Sequence, residues 1–235
     1  MPVRRKARVH PLGDSALLVE LGAKIDTALN SRAIALAQAL RRRRGVREAV
    51  PAYATVTVHY DPERLAYDAL ATAIERLVAR RPPAPGMGRL HRIPVVYDGP
   101  DLAETAAALG IGDSELVRLH TTATYRCFMI GFAPGWAYLG PLPDALRLAR
   151  RGVPRTAVPA GTVAIAGAQT GVYPLPTPGG WHLIGRTTLP MFLPDSDPPS
   201  LLLPGDRVRF FAVDAAQLKG AAAEAAAGEK AEVDG

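Results

Sequence analysis

Apolar positions along the first third of the chain change period several times. Residues 15–21, Ser-Ala-Leu-Leu-Val-Glu-Leu, predict a strand. Leu29, Ala33, Leu36, Ala37 and Leu40 then recur at helical spacing behind Asp26, a residue suited to an N-cap. The helix ends in Arg41, Arg42, Arg43 and Arg44, followed by Gly45. Cations at the carbonyl end and a glycine beyond it suit a C-terminus, so capping and a solvated face account for the arginine run. Strands follow over 46–52 and 55–60. In the second, Val56, Val58 and Tyr60 share one face while Thr55, Thr57 and His59 share the other. Leu70, Ile74, Leu77 and Val78 mark a second amphipathic helix, closed by Arg80, Arg81 and the segment Pro82-Pro-Ala-Pro-Gly86, which reads as a linker. Arg92-Ile-Pro-Val-Val-Tyr97 is a further strand, and the order β-α-β-β-α-β fits a ferredoxin-like half.

Beyond residue 100 the pattern changes. Two short helices, 102–109 and 115–120, give way to short strands punctuated by glycine and proline: 125–130, 162–166, 181–184 and 207–213. That spacing predicts a β-barrel or sandwich. Strict alternation from Trp181 places His182, Ile184 and Arg186 on one face and Trp181 and Leu183 on the other. The last stretch, 215–235, is rich in Ala, Glu, Lys and Gly, and reads as frayed helix or a flexible tail.

Composition narrows the class. The 235 residues are 48% hydrophobic and 21% charged, ordinary for a globular protein. A single cysteine, Cys127, rules out an intrachain disulfide and, lying in an apolar strand, reads as a packed core thiol. No uninterrupted run of 18 apolar residues occurs and no apolar segment follows the basic start, so neither a signal peptide nor a membrane span is expected, and a cytoplasmic location is. The net charge of +6 comes without a basic-aromatic groove pattern, which speaks against nucleic acid. An acidic partner or a small anionic substrate accounts for it as well. Phosphate loops, Gly-x-Ser-x-Gly and His-Glu-x-x-His are missing, and His10, His59, His91, His120 and His182 are scattered, so no metal site is expected.

Two dense stretches carry the candidate chemistry. In the first, Phe132, Trp136 and Tyr138 ride on a loop with Gly131, Pro134 and Gly135, where they roof a pocket, cover a partner or pack on one another. The second, residues 153–187, sets a few polar groups among many glycines. Arg155 and Arg186 suit a carboxylate or phosphate, Gln169 offers an amide, and Thr156 and Thr170 offer hydroxyls. Gly167 permits close backbone approach, while Tyr173 and His182 are groups able to move a proton. Convergent polar groups in a glycine-rich stretch are what a small-ligand pocket uses.

The motifs Gly131-Phe-Ala-Pro-Gly-Trp-Ala-Tyr-Leu139, Pro154-Arg-Thr-Ala-Val-Pro-Ala-Gly161, Ile165-Ala-Gly-Ala-Gln-Thr-Gly171, Pro178-Gly-Gly-Trp181, Ile184-Gly-Arg-Thr187 and Leu203-Pro-Gly-Asp-Arg-Val-Arg-Phe210 resemble the KipI family, also called the 5-oxoprolinase B subunit or allophanate hydrolase subunit 1. The likeness runs to about residue 213; Trp136, Thr162 and Val172 stand where the family usually has Phe, Ser and Ile. It implies an α+β chain with an N-terminal ferredoxin-like α/β domain, residues 1–85, and a C-terminal cyclophilin-like β-barrel, residues 86–214, whereas the flexible tail, residues 215–235, has no counterpart in the family. It further implies one component, inactive alone, of an ATP-dependent 5-oxoprolinase, with Mg and ATP supplied to the complex. Its companions would be the KipA-like C subunit of 5-oxoprolinase and possibly the A subunit. Two other activities go with the family: inhibition of a sensor histidine kinase, and half of a biotin-dependent urea or allophanate carboxyltransferase.

Overall fold

The computed structural model describes residues 7–80 and 88–233. The basic start and the proline-rich segment expected as a linker lie outside the described residues. The chain divides into two compact units, one up to Met87 and one from Gly88.

In the first unit four antiparallel strands carry two helices. The strands are β1 (Arg8–Pro11), β2 (Ala16–Glu20), β3 (Val46–Pro51) and β4 (Thr55–Tyr60), in the order β1-β2-β4-β3. Register pairs Leu17 with Val58 and Val19 with Val56, so one face of each strand is wholly apolar. Helix α1 (Thr27–Arg41) covers that face with Ala33, Leu36, Ala37 and Leu40, and α2 (Tyr67–Arg80) with Leu70 and Ile74. Asp26 caps α1, its carboxylate accepting from the Leu29 N–H at 2.8 Å.

The second unit is mixed α/β around a nearly closed, barrel-like sheet. Its strands are β5 (Leu90–Val95), β6 (Tyr125–Ile130), β7 (Ala137–Gly140), β9 (Thr162–Ala166), β10 (Gln169–Val172), β12 (His182–Arg186) and β13 (Arg207–Ala212), in the order β12-β9-β10-β7-β6-β13-β5. Val96 and Arg186 exchange two backbone hydrogen bonds of 2.9 Å each, which draws the two edges together. A separate two-stranded sheet, β8 (Arg155–Val158) with β11 (Thr177–Gly179), lies against one outer face. Helices α3 (Leu102–Ala108), α4 (Asp113–Thr122) and α5 (Leu218–Val233) complete the unit.

The 92–97 segment does not close the first sheet. Its residues lie in β5, which runs parallel to β13, pairing Ile93 with Phe210. The free edge of the first sheet is filled by β1, which residues 15–21 alone did not announce. Asp206 fixes the turn into β13: it accepts from Leu203 N–H at 2.8 Å and Arg89 N–H at 3.1 Å, and meets buried His91 at 3.0 Å. The alanine-rich tail is helical, with Leu218 and Ala222 buried and Ala225 and Ala226 against the barrel core. Small residues suffice there because a helix bearing only methyl groups approaches its neighbour closely. Cys127 is fully buried and burial raises its thiol pKa, which keeps it protonated.

His120 sits in the barrel interior, 0% exposed and stacked on Phe210 at 4.7 Å. The Thr170 hydroxyl donates to Ala164 O at 3.0 Å, so it accepts from His120 Nε2–H at 2.9 Å, and His120 Nδ1 accepts from the Tyr97 hydroxyl at 2.7 Å. Burial pushes the imidazole pKa down to about 3. Because the unfolded imidazole titrates near 6.5, this contribution to stability is complete above that pH and is lost as pH falls toward 3. Urea unfolding at pH 7.5 and 5.5 should therefore show wild type losing about 1.4 kcal/mol more than His120→Gln over that interval. Equal losses would mean that His120 takes up its proton within the fold.

No described helix is long and apolar enough to cross a membrane.

Candidate functional site

Strand β9 is buried on both faces, and this organises the site. Val163 and Ile165 face the barrel core, whereas Ala164 and Ala166 face an aromatic layer beneath the β8–β11 sheet. Alanine on that side leaves room for rings. Trp136 is the hub of the layer, with ring centroids 4.6 Å from Tyr173, 5.0 Å from Trp181, 5.9 Å from Tyr138 and 5.8 Å from Phe132. Trp136 and Tyr173 are buried and Tyr138 is half-buried. Phe132 alone of the loop aromatics reaches outward, 64% exposed at φ 73°, a left-handed backbone that a bulky side chain rarely adopts.

Beside this layer lies a polar cluster centred on Asp101, a residue whose role the sequence did not announce. Its side chain is 3% exposed. It accepts from Arg155 Nη2 at 2.6 Å, Arg151 Nη1 at 3.3 Å and Leu183 N–H at 2.8 Å, while its own N–H donates to Leu183 O at 3.0 Å. Burial alone would raise the carboxyl pKa, but the Arg155 hydrogen bond, the Leu183 N–H and the two guanidiniums outweigh it and hold it below the usual range. Arg151 also binds Glu104 at 3.0 Å. Two carboxylates thus balance two guanidiniums, and the cluster offers directed donors rather than excess charge.

Three buried polar atoms without a hydrogen-bond partner sit on the elements this cluster joins: Arg155 Nη1, His182 Nδ1 and Thr105 Oγ1. His182 Nε2 lies 2.8 Å from Ala149 O and must donate to it, which leaves Nδ1 as an acceptor with a free lone pair. A donor, an acceptor and a hydroxyl, each desolvated and unmatched, are what a polar ligand would satisfy. Thr105 and Asp101 had no local signal beyond a helix start, because Asp101 meets Arg155 across 54 positions. Arg150, 5.9 Å above the Trp181 ring, is a further cation next to the layer.

The remaining candidates are dispersed. Arg186 is exposed and pairs with Asp98 through Nε at 3.0 Å and Nη2 at 2.9 Å. A bulge between Leu183 and Gly185 breaks strict alternation in β12: His182 lies opposite Ile165 and Arg186 opposite Thr162, so the two side chains leave opposite faces of the sheet. Gln169 pairs with Ala166 at the other end of β9 from the Thr162 that faces Arg186, about 13 Å along the strand. Thr170 is committed to His120 and Ala164 in the core. The Tyr173 hydroxyl is hydrogen-bonded to the Trp181 backbone, and burial raises its pKa. Its oxygen fills the space above Gly179, where a Cβ would stand 2.0 Å away. Thr156 is exposed, and Gly167, at φ 57°, turns β9 into β10. Among the described residues no group of three or more His, Cys, Asp or Glu could hold a metal ion.

Architecture and sequence together place the chain among carboxyltransferase domains. The family model for the carboxyltransferase domain, subdomain C and D, matches residues 7–202. The Kluyveromyces lactis urea carboxylase structure shares the fold at TM-score 0.70 and 19% identity, over 91% of this chain and 22% of that one. Within that class the relatives are more particular. The 5-oxoprolinase B subunit of Escherichia coli O157:H7 is 44% identical over 210 residues, 88% of this chain and 96% of that protein. The crystal structure of TTHA0988 matches at TM-score 0.77 and 42% identity, over 85% of this chain, which spans 40% of that longer one. The chain belongs to the family of 5-oxoprolinase B subunits.

Proposed function

We propose that this chain is the B subunit of an ATP-dependent 5-oxoprolinase, which opens 5-oxo-L-proline to L-glutamate in the cytoplasm together with a KipA-like C subunit and an A subunit. The observation that carries this reading is the 44% identity across 96% of the E. coli B subunit. In fold terms the first unit corresponds to a ferredoxin-like sheet whose fourth place β1 takes, and the second to a cyclophilin-like barrel.

A lactam is resonance-stabilised, so its carbonyl must be polarised or converted to a leaving group before water can open the ring. Phosphorylation by ATP would supply that. In this reading magnesium and ATP are supplied to the assembled complex. This chain's part is recognition and proton handling at the Asp101 cluster. Arg155 Nη1 donates to a carboxylate or phosphoryl oxygen, its geometry fixed by Asp101. His182 Nδ1, an unpaired acceptor on β12, is the candidate proton acceptor, and Thr105 Oγ1, an unpaired hydroxyl on α3, a candidate hydrogen-bonding group. Arg186, Gln169, Thr156 and the Gly167 turn lie farther out, where they meet the substrate only if a companion protein completes the pocket. Tyr173 and Thr170 shape the wall.

Glutamate formation from 5-oxoproline and ATP by the three co-purified proteins tests this reading. Wild-type complex should turn over, and this chain alone should not. Arg155→Ala should lower kcat/KM about 100-fold, the size expected for a lost charge-assisted donor in a desolvated site. Turnover unchanged in Arg155→Ala would remove Arg155 from the site, and no glutamate from the wild-type complex would remove the function.

A further inference from the structure

The first unit carries a concave surface with no role given so far. Helices α1 and α2 flank an open groove of about 680 Å³. Its floor is Ala39, Ala69 and Ala73, and its rim includes Arg43, Arg76 and Arg80, with Asp68. Neighbouring cations of the same unit are engaged: Arg41 donates to Ala49 O at 2.9 Å, and Arg47 and Arg64 pair with Asp61. Arg43, Arg76 and Arg80 are exposed, and their side chains make no hydrogen bond or ion pair to a described residue. Arg76 and Arg80 also stand at i,i+4 on one helix face, a like-charge spacing that destabilises a helix by a few tenths of a kcal/mol. The helix C-termini, where a cation meets the dipole, account for Arg43 and Arg80 but not for Arg76.

From this arrangement we infer that the α1–α2 groove docks an acidic helix of a companion protein of the complex, its carboxylates received by Arg43, Arg76 and Arg80. Two packed helices present a furrow that a third helix fills, and alanines in the floor let its backbone come close. Guanidinium forks bind carboxylates in bidentate pairs, and aspartate or glutamate at i,i+3 or i,i+4 on one helix matches several arginines along a furrow. Charge complementarity selects the occupant: three unpaired arginines against the single Asp68 leave the groove net positive, in a chain of net charge +6. The inference rests on the reading of the chain as one component of a larger enzyme.

The test uses the full chain. Arg43→Glu/Arg76→Glu/Arg80→Glu and the milder triple Gln variant are compared with wild type for assembly with the companion proteins, by sedimentation or light scattering at 50 and 300 mM salt, with circular dichroism as the check on folding. The Glu variant should assemble at least 30-fold more weakly at low salt, and the Gln variant should lose most of the wild-type salt dependence. If the Glu variant misfolds, the Gln variant alone decides. Wild-type assembly and glutamate production alongside folded variants that assemble with wild-type affinity would overturn the docking groove and leave the enzyme reading standing. Wild-type chain that neither assembles nor supports turnover would overturn both. Pyrophosphate binding that the triple variants abolish while assembly is untouched would show a small-anion site instead, and would also overturn it.

Discussion

Asp101→Ala should destabilise the second unit by about 3 kcal/mol and abolish turnover of the assembled enzyme. The carboxylate is 3% exposed and joins three segments distant in sequence: the start of α3, the 151–155 segment and β12. Its removal leaves the Leu183 N–H and the Arg155 guanidinium without their acceptor, while Arg151 keeps Glu104. Arg151 and Arg155 retain 27% and 30% exposure and so recover some hydration, which places the cost at the lower end for a broken buried pair. Arg155→Ala should cost less, because Asp101 then keeps Leu183 and Arg151. Asp101→Asn keeps the shape and loses the charge, so it should fall between the two in stability while still misdirecting Arg155. The pH dependence carries the same signature. The carboxyl pKa is lowered in the fold, so this stability is present above the unfolded carboxylate range near pH 4 and is lost as pH falls through the lower folded value. Urea midpoints of the three variants at pH 7, together with coupled glutamate assays, check the ranking. Asp101→Ala with wild-type stability and turnover would mean that the cluster neither holds the fold nor positions Arg155.

The contrast between Asp101 and the strands shows what a sequence makes legible. Strands Thr55–Tyr60, Tyr125–Ile130 and Thr162–Ala166 lie where alternation and glycine–proline punctuation place them, because those signals are local. Sheet membership is not local. Leu90–Val95 has the pattern of a strand wherever it goes, and only its parallel pairing with Arg207–Ala212 assigns it to the barrel. The bulge at Ile184 is likewise set by tertiary pairing, and one extra residue there reverses the face on which Arg186 leaves the sheet. Family motifs pointed to Arg155, yet the carboxylate that aims it, and Thr105 one helical turn beyond, sit at the start of α3, a stretch without any motif. The Arg41–Arg44 run reads as capping, yet Arg41 donates to the Ala49 carbonyl of β3, and the place of Arg43 on a groove shared with α2 depends on how the helices pack.

Trp136→Ala should cost about 4 kcal/mol and lower the melting temperature of the second unit by roughly 10 °C. Trp136 is 2% exposed, and Tyr173, Trp181 and Tyr138 all stand against its ring, so the cavity left behind could not collapse without moving three other large side chains. Room for the ring is built in: a Cβ at Gly171 would stand 3.1 Å from it. The indole N–H is buried without a partner, so Trp136→Phe gives up volume but no hydrogen bond, and should cost only about 1–2 kcal/mol. The functional consequence follows from the two-stranded sheet above the layer. Strands β8 and β11 pair only with each other, and a two-stranded sheet is marginal without a surface to rest on. Val158 of β8 packs into the same layer, and Arg155 opens that strand. Loosening the aromatic layer should therefore release Arg155 from its fixed position, and turnover should fall in Trp136→Ala below the melting transition, while Trp136→Phe retains most of it. Thermal unfolding, near-ultraviolet circular dichroism and the coupled assay measured on both variants separate the effects. A Trp136→Ala protein with an unchanged melting temperature would show that the two-stranded sheet is held by something other than this layer.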